Sequence, residues 1–116
     1  MELKSIDHNG SHDERGNYTR DEYRIGNYVV YRFLHHYNNG TTYENFEIQA
    51  NPEINFLPDI YYNKYSIKGN DFVQSREFKI QTSSYGSLHP AEIQQIIDGY
   101  KEALDVVNIL TEKFLK

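Results

Sequence analysis

The stretch Tyr28–Ala50, YVVYRFLHHYNNGTTYENFEIQA, decides the fold. Two runs of alternating side chains flank Asn39-Gly40, a dipeptide favoured at the centre of a two-residue hairpin turn because both residues there take positive φ. The first run starts upstream, where Tyr23, Ile25, Val29, Tyr31 and Phe33 recur on odd positions with Arg24, Arg32 and His36 between them. A period of two marks a strand. A turn centred on Asn39-Gly40 pairs Asn38 with Thr41, so Phe33 is predicted to face Phe46, Tyr31 to face Ile48 and Val29 to face Ala50. Arg32 then meets Glu47 on the other side of the sheet. A slip of one residue would turn the apolar set of one strand to the opposite face, so this register carries the rest of the reading.

Downstream, Pro52 ends the second strand, and Asn51–Pro58 (NPEINFLP) reads as a linker because its two prolines exclude a central strand. Ile60–Ile67 and Glu77–Ser83 read as two further strands turning at Gly69-Asn70. His89 is placed as the N-cap of a final helix, with Pro90 at the first position and Glu92 near the positive end of the dipole. Ile93, Ile96, Ile97, Tyr100, Leu104, Val107, Leu110 and Phe114 follow three-four spacing. Ile96, Ile97, Tyr100, Leu104 and Val107 are therefore expected to bury against the Phe33 face. Upstream, Ser5–Arg20 has two glycines, many charges and one large apolar residue, Ile6, which reads as loop apart from a short strand at Glu2–Ile6.

The expected fold is α+β: an antiparallel sheet of about four strands over residues 23–83, with one long amphipathic C-terminal helix, 89–115, packed on one face. Residues 1–20 are expected to be a loop or mobile arm, and 1–116 a single domain. The chain has 116 residues, 38 % hydrophobic and 25 % charged, with 15 % aromatic content. That aromatic share is too high for a disordered chain. With 11 Tyr, 6 Phe and no Trp, much of the apolar area carries a hydroxyl that needs water or a partner.

Composition also narrows function. No cysteine is present, which removes thiolate chemistry and sulfur-ligated zinc and fits a reducing cytoplasm. No apolar run approaches the ~18 residues that span a bilayer, and Met1–Gly10 lacks the features of a secretory leader, so neither secretion nor membrane embedding is expected. The net charge of −5 opposes direct nucleic-acid binding, which rests on Lys and Arg. It favours a basic partner, such as a nucleic-acid-binding enzyme, or simply keeps the protein dispersed.

Three polar groupings are candidates for chemistry, and each has an ordinary alternative. Asp7, His8, His12, Asp13 and Glu14 could hold a divalent metal for a hydrolase if a helix presented them, but Gly10 argues for a solvated arm. His35 and His36 are neighbours in a strand and point to opposite faces, which suits cross-strand pairing with Glu44 and Tyr43; catalysis by His35 with Glu44 is the sharper reading. Thr82–Ser87 (TSSYGS) precedes a helix N-terminus, where backbone N–H groups can take an anionic ligand, though a helix-entry loop is expected to be rich in Ser and Gly. No motif for a cofactor or a nucleophile elbow is present.

The remaining candidates form surfaces. Tyr28, Val30, Leu34 and Tyr43, beside Arg32 and His36, are expected on the hairpin face away from the helix, and Tyr and Arg are favoured interface anchors. Such a face needs a cover: the N-terminal arm, a second copy or another protein. Asp98, Glu102, Asp105 and Glu112 recur along the polar side of the helix. The order of a Tyr-rich hairpin, then Phe78–Leu88 (FKIQTSSYGSL), then an acidic helix resembles small phage and mobile-element accessory proteins, including anti-CRISPR inhibitors. That resemblance lies in the last third of the chain and implies a non-enzymatic inhibitor of a basic nucleic-acid-handling enzyme, without assigning a role to any residue. The expected protein-binding residues are thus Asp98, Glu102, Asp105, Tyr28, Arg32 and Tyr43.

Overall fold

A computed structural model describes residues 1–116 as six strands followed by one helix. β1 (Lys4–Asp13), β2 (Gly16–Ile25), β3 (Tyr28–Tyr37) and β4 (Thr42–Ala50) form a four-stranded antiparallel meander in sequence order. β5 (Ile60–Lys68) and β6 (Asp71–Ile80) form a separate two-stranded sheet beside β4, and α1 (Pro90–Phe114) completes the chain. The α+β class and the C-terminal helix are as expected. The third predicted strand is present; the fourth starts at Asp71 rather than Glu77 and stops at Ile80, short of Ser83, and the two form a sheet of their own.

The stretch expected to be a loop or arm forms β1 and half of β2. Every residue of β1 is exposed, so burial leaves no periodic mark on its sequence. Backbone hydrogen bonds to β2 define it instead, and polar side chains suit an edge strand. The Asp13 carboxylate accepts from the N–H groups of Arg15 and Gly16, at 2.8 and 3.1 Å, and so shapes the turn. At the next turn Gly26 supplies the positive φ of 55° that a two-residue loop starting with glycine requires.

The β3–β4 register differs from the expected one by a single residue, with a clear cause. Gly40 N–H donates to the Tyr37 carbonyl at 3.0 Å and Tyr37 N–H to the Thr41 carbonyl at 2.9 Å. The loop is therefore Asn38-Asn39-Gly40, three residues with glycine at positive φ (90°), the next most common hairpin solution after the two-residue turn. Asn39 Oδ1 stabilises it by accepting from the Thr41 N–H and hydroxyl. Consequently Tyr28 faces Ala50, Val30 faces Ile48 and Arg32 faces Phe46, while Phe33 lies opposite Asn45 and Tyr31 opposite Glu47.

One residue of slip exchanges the faces of β3. Tyr28 and Val30 enter the core with Ile25, Phe46, Ile60 and Phe78, and Ala103, Val106 and Leu110 of the helix close it. The helix thus lies on the Arg32 face, and the expected Phe33–Phe46 pairing is overturned. The buried stripe of α1 is rotated to match: Gly99, Ala103, Val106 and Leu110 face the core, whereas Ile97 and Leu104 are exposed. The helix start agrees with the reading of the sequence, since Pro90 opens it and the Glu92 carboxylate accepts from the His89 N–H at 3.0 Å.

Arg32 is accommodated on the core side by an ion network. Its guanidinium donates to Glu44 Oε2 from Nε at 2.9 Å and from Nη2 at 2.6 Å, and lies over the Phe114 ring. Arg76 of β6 binds the other Glu44 oxygen, and also the Phe114 carbonyl at 3.2 Å. Glu44 therefore ties β3, β4, β6 and the end of the helix together.

The radius of gyration is 16.9 Å, above the ~13 Å expected of a compact chain of this length. Both sheets run past the helix, and the far half of the meander is open on both faces. At the covered end the Asn51–Asp59 connection crosses the helix at Gly99. A Cβ there would sit 2.6 Å from the Phe56 carbonyl oxygen, and Phe56 itself has φ 61°. On an open helix surface Gly→Ala would stabilise by about 1 kcal/mol. Gly99→Ala is expected to do the reverse and cost roughly 1–3 kcal/mol, because the obstruction is backbone. Urea unfolding midpoints read the sign directly.

Candidate functional site

The six residues expected to bind a protein do not share a surface. Tyr28 is 1 % exposed and donates its hydroxyl to the Pro58 carbonyl. Arg32 is held by Glu44. Glu102 accepts from the Asn27 N–H and side-chain amide at 2.8 and 2.9 Å, fixing the β2–β3 turn to the helix. These three residues are structural, and the inferred outward face of Tyr28, Val30 and Arg32 is corrected to an inner one. Tyr43 is exposed on the opposite, outer face of the sheet, with Lys64 over its ring. Asp98 and Asp105 are exposed on α1.

The N-terminal cluster loses its geometry as a metal centre because it is a strand. His8 and His12 are on one face, four residues and about 13 Å apart at ~3.3 Å per residue, and each already has a cross-strand partner: Asp21 for His8, and Asn17 at 2.7 Å for His12. Asp7 and Asp13 pair in register with Glu22 and Gly16 on the outer face. In TSSYGS, the Ser83 N–H donates to the Tyr100 hydroxyl at 3.3 Å, which ties the loop to the helix. His36 is opposite Thr42 and His35 opposite Tyr43, each one position from the expected pairing.

Two surfaces stand out. On α1, Ile93, Ile97 and Leu104 are 48, 44 and 53 % exposed. At 100° per residue they form one row with Tyr100, about a quarter-turn or more from the buried stripe. Asp98, Asp105 and Glu112, each seven residues from the next, form a parallel acidic row about 120° round the helix from it.

The second surface is the outer face of the meander. Asn9, Arg20, Phe33 and Asn45 lie side by side across β1–β4. Ser11, Tyr18, His35 and Tyr43 form the adjoining row. Tyr37 follows at one end, where its β2 neighbour is Gly16. The His35 ring is clasped by Tyr18 and Tyr37, with centroids 3.5 and 3.7 Å away. His35 is only 5 % exposed, although no helix covers this face. Together these side chains line a cleft of about 620 Å³.

Reading the sequence missed Tyr18, Arg20, Phe33 and Asn45 as a group. Tyr18 and Arg20 fell in the presumed arm, and Phe33 was assigned to the core. The two-residue spacing of Tyr18 and Arg20, which puts both on one face of a strand, is the signal that a strand reading of Gly16–Ile25 would have used.

No family model, curated protein or solved structure matches the chain. No helix is long and apolar enough to cross a membrane.

The Tyr28 phenol carries a pH dependence. Burial, followed by the Glu102 and Asp59 carboxylates, holds its pKa well above the usual value of 10.0. Below pH ~10 the phenol is neutral whether the chain is folded or unfolded; above it the unfolded chain releases this proton and the folded chain does not. Stability is therefore lost as pH rises past about 10. Tyr28→Phe should cost about 0.5–1.5 kcal/mol at neutral pH through the lost hydrogen bond. It should also flatten the decline between about pH 9 and 11, measured by urea midpoints; equal slopes in both proteins would refute the assignment.

Proposed function

We propose that the protein is a binding module that docks another protein on the uncovered side of α1. The observation that carries this reading is the half-exposed row of Ile93, Ile97 and Leu104. Single exposed aliphatics are ordinary on a protein surface, but a row along one helix face is the pattern of a helix laid into an apolar groove. The acidic row of Asp98, Asp105 and Glu112, about 120° round the helix, and the net charge of −5 favour a partner that carries basic residues on the wall flanking that groove.

A narrower reading, an inhibitor occupying the nucleic-acid channel of a basic enzyme, draws on the same charge. Its support is weaker once Glu102 is committed to Asn27. The remaining acids are about 10 Å apart along the axis, whereas a single nucleic-acid strand carries one charge per ~3.4 Å. Attraction to a basic surface follows from this row, and imitation of successive phosphates does not.

The test is capture from a lysate of the source cell with three forms of the full chain: wild type, Ile97→Ser with Leu104→Ser, and Asp98→Lys with Asp105→Lys. Both variants should keep the wild-type fold, since exposed changes usually cost within about 0.5 kcal/mol each. A protein retained by wild type at low salt should be lost from both variants, and its association should slow as salt screens the acidic row. Identical capture by all three forms would remove the reading. A salt-insensitive dimer in sedimentation, dissociated by the Ile97 and Leu104 changes, would assign the row to a second copy instead.

A further inference from the structure

We propose that the cleft on the outer face of β1–β4 binds a neutral saccharide. The first support is its volume: about 620 Å³ falls within the ~300–1,000 Å³ of small-molecule sites. The second is an orphaned atom. His35 Nε2 is buried and has no hydrogen-bond partner, and His35 belongs to the cleft wall. Buried polar atoms in folded proteins are paired in the great majority of cases, so this nitrogen marks a place for a group from outside the chain. Tyr37, 36 % exposed at the cleft end, covers one face of the imidazole.

The chemistry of the lining selects the ligand. Tyrosine hydroxyls that bond within the protein are those of Tyr28, Tyr62 and Tyr100; those of Tyr18, Tyr37 and Tyr43 do not. With Ser11 and Asn45 they give the cleft a high density of uncommitted groups that both donate and accept. A sugar hydroxyl also does both, so it satisfies His35 Nε2 in either imidazole tautomer. The aromatic surface of Phe33 and the tyrosines suits the C–H face of a pyranose ring.

The same lining disfavours other classes. Arg20 is the one cation of the wall, is balanced by Glu47, and already lies over the Tyr31 ring at 4.7 Å; a phosphate-bearing ligand would meet no surplus of positive charge. A wholly apolar ligand would strand the amides and hydroxyls.

The experiment is a titration of the 15N-labelled full chain with glucose, galactose, mannose, N-acetylglucosamine, cellobiose and chitobiose, each to about 20 mM, with adenosine in parallel. At least one neutral sugar should bind with a Kd of about 10 mM or tighter, corresponding to at least ~2.7 kcal/mol. It should shift the amides of Tyr18, Arg20, Phe33 and Asn45 together with the His35 Nε2 resonance. Tyr43→Ala with Asn45→Ala should weaken that binding at least about tenfold, or ~1.4 kcal/mol, and leave the amide spectrum otherwise that of the folded protein. Tyr43→Ala alone, a change at a 47 % exposed residue, serves if the double variant fails to fold. The proposal is overturned if no sugar shifts the cleft amides, if adenosine does so while the sugars do not, or if the shifts fall on α1. Ile97→Ser should leave the sugar titration unchanged, which separates this site from the helix surface.

Discussion

The parity of β3 controls the rest of the molecule. Both of its sides carry apolar or aromatic residues: Tyr28, Val30 and Leu34 on one, Val29, Tyr31 and Phe33 on the other. Either side could face a helix. The three-residue loop at Asn38–Gly40 fixes which residues of β4 oppose which of β3, and so matches Val30 with Ile48 and Arg32 with Phe46. Once those pairs share a face, Tyr28 must find a hydroxyl acceptor inside and Arg32 must find a carboxylate. Pro58 and Glu44 supply them. An unpaired guanidinium on that face would cost several kcal/mol, so the network around Glu44 is the condition for this register rather than an addition to it.

The polar commitments on the inner face also explain how the two surfaces arise. Glu102 is drawn to the β2–β3 turn and Gly99 to the crossing of the Asn51–Asp59 segment. Together they set the rotation of α1 and leave Ile93, Ile97 and Leu104 pointing away from the sheets. The same parity places His35 on the outer face, where Tyr18 and Tyr37 rather than a helix shield it.

Reading the sequence recovered the elements that leave a local mark. Pro90 and Glu92 locate the helix start, Gly69-Asn70 locates the last hairpin, and period-two alternation locates β3 and β4. It failed where the information is tertiary. Asn39-Gly40 is compatible with a two- or a three-residue loop, and the choice between them rests on how Tyr28 and Arg32 are satisfied some distance away. β1 has no apolar face and is specified by its neighbour's backbone. Asp98 and Asp105 were legible as exposed acids from helical spacing alone, but Glu102, on the same polar side of the helix, was not separable from them without the position of Asn27. The cleft required both the identity of β2 and the correct parity of β3, so no single segment could disclose it.

The order of elements has a consequence for biogenesis. The meander is built from three consecutive hairpins, each pairing only neighbouring segments, so it can form as the chain emerges from the ribosome. The helix that covers it comes last, with about sixty residues between the end of β4 and Leu110. At synthesis rates of ~5–20 residues per second, the part of the inner face that α1 covers waits roughly 3–12 seconds, while Phe46 meets Tyr62 and Phe78 of the second sheet earlier. The nascent protein thus passes through an interval in which its sheet is complete and that part of its inner face is open to any passing apolar surface, chaperone or sister chain alike.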